Sequence, residues 1–246
     1  MTQSSSRTAL ITGAAGGLGQ SIARRLAQDG MRLILTDVMA CDQFIDSAGL
    51  TDSVALTATC DLSSESEVER FLRAVDAQGT VDVLVNNAAY LPLISFDDLT
   101  PTDLALFLRI NVSAPFQLAK AVSVKMRKQA WGRIINVVSG SAWLPSPNFL
   151  GYISSKMGLV GLTRSLAVEL GQFGISVNAI TPGLTRHVRN HDALPDEFWE
   201  MIKNRQAIKR ASTPEDFACG VSFLASEDAA FMTGQTVAFD GGLVFL

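Results

Sequence analysis

Short apolar runs rich in β-branched residues alternate along the chain with longer stretches whose apolar residues recur every three to four positions. The runs fall at 8–11, 32–36, 54–57, 81–85, 133–138 and 175–180. Helical stretches fall at about 18–29, 64–78, 102–128, 153–172 and 214–226, before a last strand near 235–239. Strands that each return through a helix must pair in parallel, because a parallel return needs a crossover. The pattern therefore predicts an α/β protein: a doubly wound parallel sheet with helices on both faces. The longest stretch without clear periodicity, about 182–213, holds His187, His191, Trp199 and mixed charges. A long irregular segment in a compact domain is more often a binding loop than a defect, so it is read as the substrate loop.

Composition narrows the picture. The 246 residues are 48% hydrophobic and 18% charged, enough for a large core, and no Pro/Ser-rich linker divides them. One domain spanning 1–246 is expected, with a cofactor half at about 1–130 and a catalytic and substrate-loop half at about 131–246. A net charge of −4 and a sequence pI of about 5.2 lack the basic footprint of nucleic-acid or anionic-membrane binding, which favours small-molecule chemistry. Cys41, Cys60 and Cys219 are odd in number, widely spaced and without a CxxC pair, as expected of reduced thiols. Residues 1–7 are polar, without the apolar core of a signal peptide, and no later run is apolar enough to span a bilayer. A soluble, cytoplasmic protein is expected.

The first candidate chemistry is the turn Thr12-Gly13-Ala14-Ala15-Gly16-Gly17-Leu18-Gly19, which follows the first strand and opens the first helix. Glycine lets the backbone approach a pyrophosphate, and the free N–H groups and dipole of a helix start favour the anion. Asp37 closes the second strand, near where an acidic residue in such a unit accepts from the adenosine ribose. Its charge would repel a 2′-phosphate. Val38 follows it and Gly16 precedes Gly17, so no neighbouring cation compensates, and NAD is favoured over NADP.

Ser139 ends a strand, Tyr152 follows, and Lys156 lies four residues further, on the same helix face. A phenol with a reference pKa of about 10 is a poor base near neutral pH. A cation about 4 Å away, at an effective dielectric near 20, favours phenolate by roughly 4 kcal/mol, at most some three pKa units. Lys156 with oxidised nicotinamide supplies that charge. Ser139 would hydrogen-bond the substrate oxygen while Tyr152 transfers the proton.

These residues carry a resemblance over the whole length: the chain resembles the short-chain dehydrogenase/reductase family, which implies a Rossmann-type fold. TGAAGGLG at 12–19 matches the family's TGxxxGxG, and Asn86-Asn87-Ala88-Ala89 resembles its NNAG, with Ala89 in place of the final Gly. Asn111, Ser139, Tyr152 and Lys156 match the catalytic tetrad, and the resemblance implies that Asn111 positions a water in the proton relay. Asp61-Leu62 resembles the segment that contacts adenine. The stretch 178–183, ending in Pro182 and Gly183, resembles that leading to the nicotinamide carboxamide. His187 stands where the family often has Thr, and Thr185 where Ile or Val is usual, which leaves Thr185 a backbone contact. Tyr152 and Lys156 count among the cofactor-binding residues too. The resemblance also implies a homotetramer built on the helices near 102–128 and 153–172 and the apolar end at 243–246.

Leu91, Ser141, Trp143, Phe149 and Trp199 are read as the substrate pocket, for their places beside the catalytic residues, NNAA and the loop. Segments 90–99, YLPLISFDDL, and 131–139, WGRIINVVS, resemble bacterial secondary-alcohol dehydrogenases of the phenylethanol type. Pyridoxal-type dehydrogenases share similar stretches, so the alcohol is left open. His187 and His191, with Asp192 adjacent, have a spacing that suits a metal, but the resemblance implies metal-free chemistry and they are read as polar loop residues. Two alternatives stand beside an NAD-dependent alcohol dehydrogenase. One is a 3-oxoacyl-carrier-protein-type reductase, weakened by Ala130 and Phe173 where docking arginines are expected. The other is a non-catalytic dinucleotide-binding protein, which has no reason to hold Ser139, Tyr152 and Lys156 together.

Overall fold

The computed structural model describes residues 6–185 and 195–246. Seven strands form one parallel sheet: β1 (Thr8–Thr12), β2 (Arg32–Asp37), β3 (Val54–Thr59), β4 (Val83–Asn86), β5 (Gly132–Val137), β6 (Ile175–Pro182) and β7 (Thr236–Phe239). Their order is β3-β2-β1-β4-β5-β6-β7. Every pairing is parallel. The chain winds outward from β1 to β3, then crosses back to β4 and winds the other way. The reversal leaves a crevice between the carboxyl ends of β1 and β4, the place where ligands bind in such sheets.

The helices are α1 (Gly17–Gln28), α2 (Asp42–Ala48), α3 (Glu65–Ala77), α4 (Pro101–Leu108), α5 (Ala114–Gln129), α6 (Leu150–Gly171), α7 (Asp196–Arg205) and α8 (Pro214–Ala225). They cover both faces because the strands alternate. In β1, Ala9 and Ile11 join an apolar cluster with α1 and α8, while Leu10 joins one with α3 and α5. Leu33 and Leu35 oppose Ile34 in β2 in the same way, and Val83 and Val85 oppose Leu84 in β4. With both faces buried, each of these Leu, Ile and Val side chains contributes about 1.5–3 kcal/mol to folding.

Three elements differ from the pattern expected of the sequence. The helix predicted at 102–128 is interrupted: a π-helical turn, Arg109–Ser113, separates α4 from α5. α2 was not expected; it is one short piece, ended by Gly49 in the left-handed conformation. The predicted irregular segment 182–213 contains α7, which carries Asp196 and Glu197 in its first turn and Lys203 and Arg205 in its last. Those charges favour a helix through its dipole. Trp199 is its one buried residue, too few to produce a visible period. His187, His191 and Asp192 lie outside the described residues.

Far from the crevice, Trp131 is held between the guanidiniums of Arg7 and Arg133, 3.8 and 4.3 Å from its ring centre. Glu227 accepts from both arginines and from the indole N–H. This ties the starts of β1 and β5 to the loop after α8.

Candidate active site

A cleft of about 460 Å³ occupies the crevice. One wall is the glycine-rich turn: Gly13, Gly16, Gly17, Leu18 and Gly19. Gly13 has φ +65, and a Cβ there would come within 2.8 Å of the Ala88 backbone. A Cβ at Gly19 would meet the Gly13 carbonyl at 2.1 Å. At these two positions the turn is packed so closely on helix and loop that only glycine fits. Helix α1 begins at this wall with no side-chain cap and no acidic residue in its first turn. Its dipole is therefore available to an anion.

The floor is the loop after β4. Asn87 donates from Nδ2 to the carbonyls of Thr12 and Gly13 at 2.9 and 3.0 Å, and the Thr12 hydroxyl accepts from the N–H groups of Asn87 and Ala88. Asn87, Ala88 and Ala89 all line the cleft. The far end holds Asp37, Val38, Asp61 and Leu62. Asp37 accepts from the Ala15 N–H at 3.0 Å and the Met39 N–H at 3.2 Å, so it braces the glycine-rich turn as well as facing the cleft. Asp61 accepts from the Ser63 N–H at 2.8 Å. A glycine cradle for a diphosphate, an open helix start and a carboxylate at the ribose end fit a nicotinamide dinucleotide.

Past the cleft, Ser139 leaves β5 in extended conformation and starts a single 3₁₀ turn, Gly140–Ala142. Its hydroxyl lies 2.7 Å from that of Ser141. Tyr152 and Lys156 project from the first turns of α6, which packs against α4 at Gly151, where a Cβ would strike the Phe107 ring at 2.5 Å. Phe107 in turn stacks edge-on against Tyr90, and Phe149 edge-on against Tyr152. Lys156 is buried, with Nζ 5.6 Å from the Tyr152 ring centre and donating to the Val137 carbonyl at 2.8 Å.

The electrostatics differ from the sequence expectation. Burial pushes the Tyr152 phenol above its ordinary value, opposed by the Ser139 side chain. Burial also pulls Lys156 down to about 7. Burial thus works against the charge that the lysine offers the phenol, and the Ser139 side chain is what offsets the rise of the phenol.

Asn111 sits in the π-helical turn, fully buried. Its Oδ1 accepts from the Tyr90 N–H at 2.8 Å, and its Nδ2 donates to the Tyr90 carbonyl at 3.0 Å and to Ser155 Oγ at 2.9 Å. Ser155 donates to the Tyr152 carbonyl at 2.7 Å. Both amide hydrogens of Asn111 are committed within the protein, so any water the resemblance assigns to it is left the second lone pair of Oδ1 or the backbone. Ser155, a link that sequence reasoning missed, ties the cleft loop to the helix of Tyr152. Its place beside Lys156 was the available signal.

The other expected residues are more dispersed. Pro182 closes β6, Gly183 packs against Asp240, and Thr185 is buried and bridges to Ser212. None of the three lines the cleft. Of the five residues expected in the substrate pocket, Leu91 lies on the cleft wall, half-exposed. Trp143 packs on the apolar cluster of Val138, Leu159, Val160 and Ala179. Trp199 is buried on α7. Among the described residues no group of His, Cys, Asp or Glu is arranged to hold a metal, and no helix is long and apolar enough to cross a membrane.

The family model described as Enoyl-(Acyl carrier protein) reductase matches residues 13–244. The chain is 35% identical over 239 residues, covering 96% of each, to the (2S)-[(R)-hydroxy(phenyl)methyl]succinyl-CoA dehydrogenase subunit BbsD of Thauera aromatica. It is 40% identical over 243 residues, covering 96% of this chain and 87% of the relative, to dehydrogenase/reductase SDR family member 4 of Homo sapiens. A solved 3-oxoacyl (acyl-carrier-protein) reductase from Agrobacterium tumefaciens with NADP bound superposes with a TM-score of 0.88 at 30% identity, covering 96% of this chain and 93% of that one. Fold, cleft and sequence agree: the chain belongs to the short-chain dehydrogenase/reductase family of nicotinamide-dependent oxidoreductases.

Proposed function

We propose that this protein moves a hydride between NAD and a small, largely apolar secondary alcohol or its ketone, with Ser139, Tyr152, Lys156 and Asn111 as the working residues. The observation that carries the reading is the buried Lys156 beneath the Tyr152 ring, with Ser139 the side chain that counters the burial-driven rise of the phenol. A buried ammonium is costly to keep without a task.

Bound nicotinamide would take up or supply the hydride. Tyr152 holds the proton exchanged with the substrate oxygen, and Ser139 donates a hydrogen bond to that oxygen as charge develops. Lys156 contributes positive charge beneath the phenol, and Asn111 braces the cleft loop against α6.

NAD is favoured because the ribose end of the cleft carries Asp37, Val38 and Asp61, and among the described residues no lysine or arginine lines the cleft. Arg32 opens β2 while Asp37 closes it, five residues or roughly 16 Å along the strand, too far for rescue. The benzylic alcohol named in the BbsD relative supports an aromatic substrate class. Incubation with NAD and a panel of cyclic, aromatic and aliphatic secondary alcohols, read as absorbance of reduced cofactor, tests the reading. Turnover of at least one class is expected, and none with any alcohol or matching ketone would overturn it.

A 3-oxoacyl-carrier-protein-type reductase is the second reading, supported by the NADP-bound structural relative. Positions 130 and 173 are uncharged, yet Arg127 lies 4.9 Å above the Phe173 ring, so that surface does carry a cation. Reduction of an acyl-carrier-protein thioester with NADPH in preference to alcohol oxidation would favour it.

We further propose a cytoplasmic homotetramer. α5 exposes Phe116 and Val124, α6 exposes Met157 and Val168, and Phe231, Phe245 and Leu246 are bare at the carboxyl end. Apolar faces of this kind are characteristic of subunit contacts.

A further inference from the structure

Ser139 is paired with a second serine that the tetrad does not include. The Ser141 N–H donates to Ser139 Oγ at 3.3 Å, and the two hydroxyls lie 2.7 Å apart. Ser141 is fixed by the 3₁₀ turn, in which Ala142 N–H bonds the Ser139 carbonyl at 3.1 Å and Trp143 N–H the Gly140 carbonyl at 3.0 Å. A serine hydroxyl has one proton and two acceptor sites. The Ser141 N–H takes one acceptor site of Ser139. The proton of the hydroxyl pair can then run either way. If Ser141 donates, Ser139 has only its own proton left to offer, and it points that proton into the site, toward the phenol oxygen before substrate binds and toward the substrate oxygen once it is bound. If Ser139 donates, it becomes an acceptor facing the phenol and cannot stabilise charge on the substrate oxygen.

We infer that Ser141 is a positioning residue that donates its hydroxyl proton to Ser139 and so sets the direction of the Ser141–Ser139–Tyr152 chain. The inference rests on the proposed roles of Ser139 and Tyr152. Hydrogen bonds in such a chain polarise one another, so the donation also makes Ser139 a stronger donor.

The chain has two tyrosines, Tyr90 and Tyr152, so a Tyr90→Phe background leaves one phenol to titrate. Its ionisation is followed by tyrosinate ultraviolet absorbance in pH jumps, without cofactor. Ser141→Ala is expected to raise the Tyr152 midpoint by about half a unit or more. In the unmodified background it should lower kcat for 1-phenylethanol, or for whichever panel alcohol turns over, by about tenfold, with NAD affinity within about twofold. Ser141→Thr, which keeps the hydroxyl, should restore both, and Ser141→Cys, a weak donor, should fall between and serves if the alanine variant does not fold. An unchanged or lowered midpoint in Ser141→Ala, or Thr behaving as Ala does, would overturn the inference. Ser139→Ala and Tyr152→Phe separate the two levels. If both retain turnover, the proposed function fails; if both abolish it while Ser141→Ala turns over as the unmodified protein does, only the role of Ser141 fails. The phenol titration reads Ser141 in either case.

Discussion

Lys156 places its ammonium 5.6 Å from the centre of the Tyr152 ring and anchors it on the Val137 carbonyl at the end of β5. One strand end thus holds the cation under the phenol, and the next residues of the same chain turn deliver Ser139.

Removal of the Tyr152 hydroxyl deletes the transferable proton and leaves the ring that packs against Phe149. Tyr152→Phe should therefore reduce kcat by about 10²–10⁴-fold while NAD affinity stays within a few-fold. Steady-state kinetics with calorimetric NAD titration check it. More than about a tenth of the original kcat would remove Tyr152 from the chemistry.

Lys156 has a folded-state pKa of about 7, far below its ordinary value of 10.5. Between these values the unfolded chain binds more protons than the folded one, so this group's contribution to stability rises with pH across the window and is least favourable below it. Lys156→Met keeps the volume without the buried charge. It should abolish turnover yet raise the melting temperature at pH 7 by about 3 °C or more, after the lost bond to Val137 is subtracted. The gain should shrink toward pH 10, where the lysine in the unmodified protein is neutral. Calorimetry across that range would contradict the prediction if the difference grew with pH.

Asp37 serves the turn and the ribose end at once. Repulsion of a 2′-phosphate at about 4 Å is of order 4 kcal/mol at an effective dielectric near 20, reduced by screening to about half, or roughly thirtyfold. The unmodified protein should prefer NAD by at least that factor in kcat/KM. Asp37→Ala should narrow the preference mainly by weakening NAD, because the Ala15 N–H loses its acceptor in the same step. Asp37→Ser, which keeps an acceptor, should use NADP better than Asp37→Ala does. Equal efficiency with both cofactors before any mutation would refute the argument.

Ser155 receives one proton of the Asn111 amide in a fully buried setting. Ser155→Ala strands that donor at a cost of about 1–3 kcal/mol, a drop of roughly 3–9 °C in melting temperature. Ser155→Thr keeps the acceptor and should lose less. Equal melting of the alanine variant and the unmodified protein would mean the brace is not used.

The homotetramer proposed above would bury the exposed apolar faces of α5 and α6. Light scattering should give about four times 26.3 kDa. A monomer at micromolar concentration would contradict it.

The alternation of apolar runs and helical periods determined the layers, because a strand buried on both faces has no other way to read than Leu33-Ile34-Leu35 or Val83-Leu84-Val85. Glycine spacing determined the turn at 12–19, since close approach of backbone to backbone admits no Cβ. The i, i+4 step of Tyr152 and Lys156 needed only helix geometry. Tertiary structure alone decided the rest. The π-helical turn at Asn111 costs no change in apolar period, so nothing in the pattern marks it, yet it turns the amide to Tyr90 and Ser155. The depression of Lys156 to about 7 is a property of its burial rather than of its sequence neighbours. The pairing of Ser139 with Ser141 follows from a 3₁₀ turn that folds two hydroxyls to 2.7 Å, a distance that an extended chain, with alternate residues on one face but well apart, does not allow.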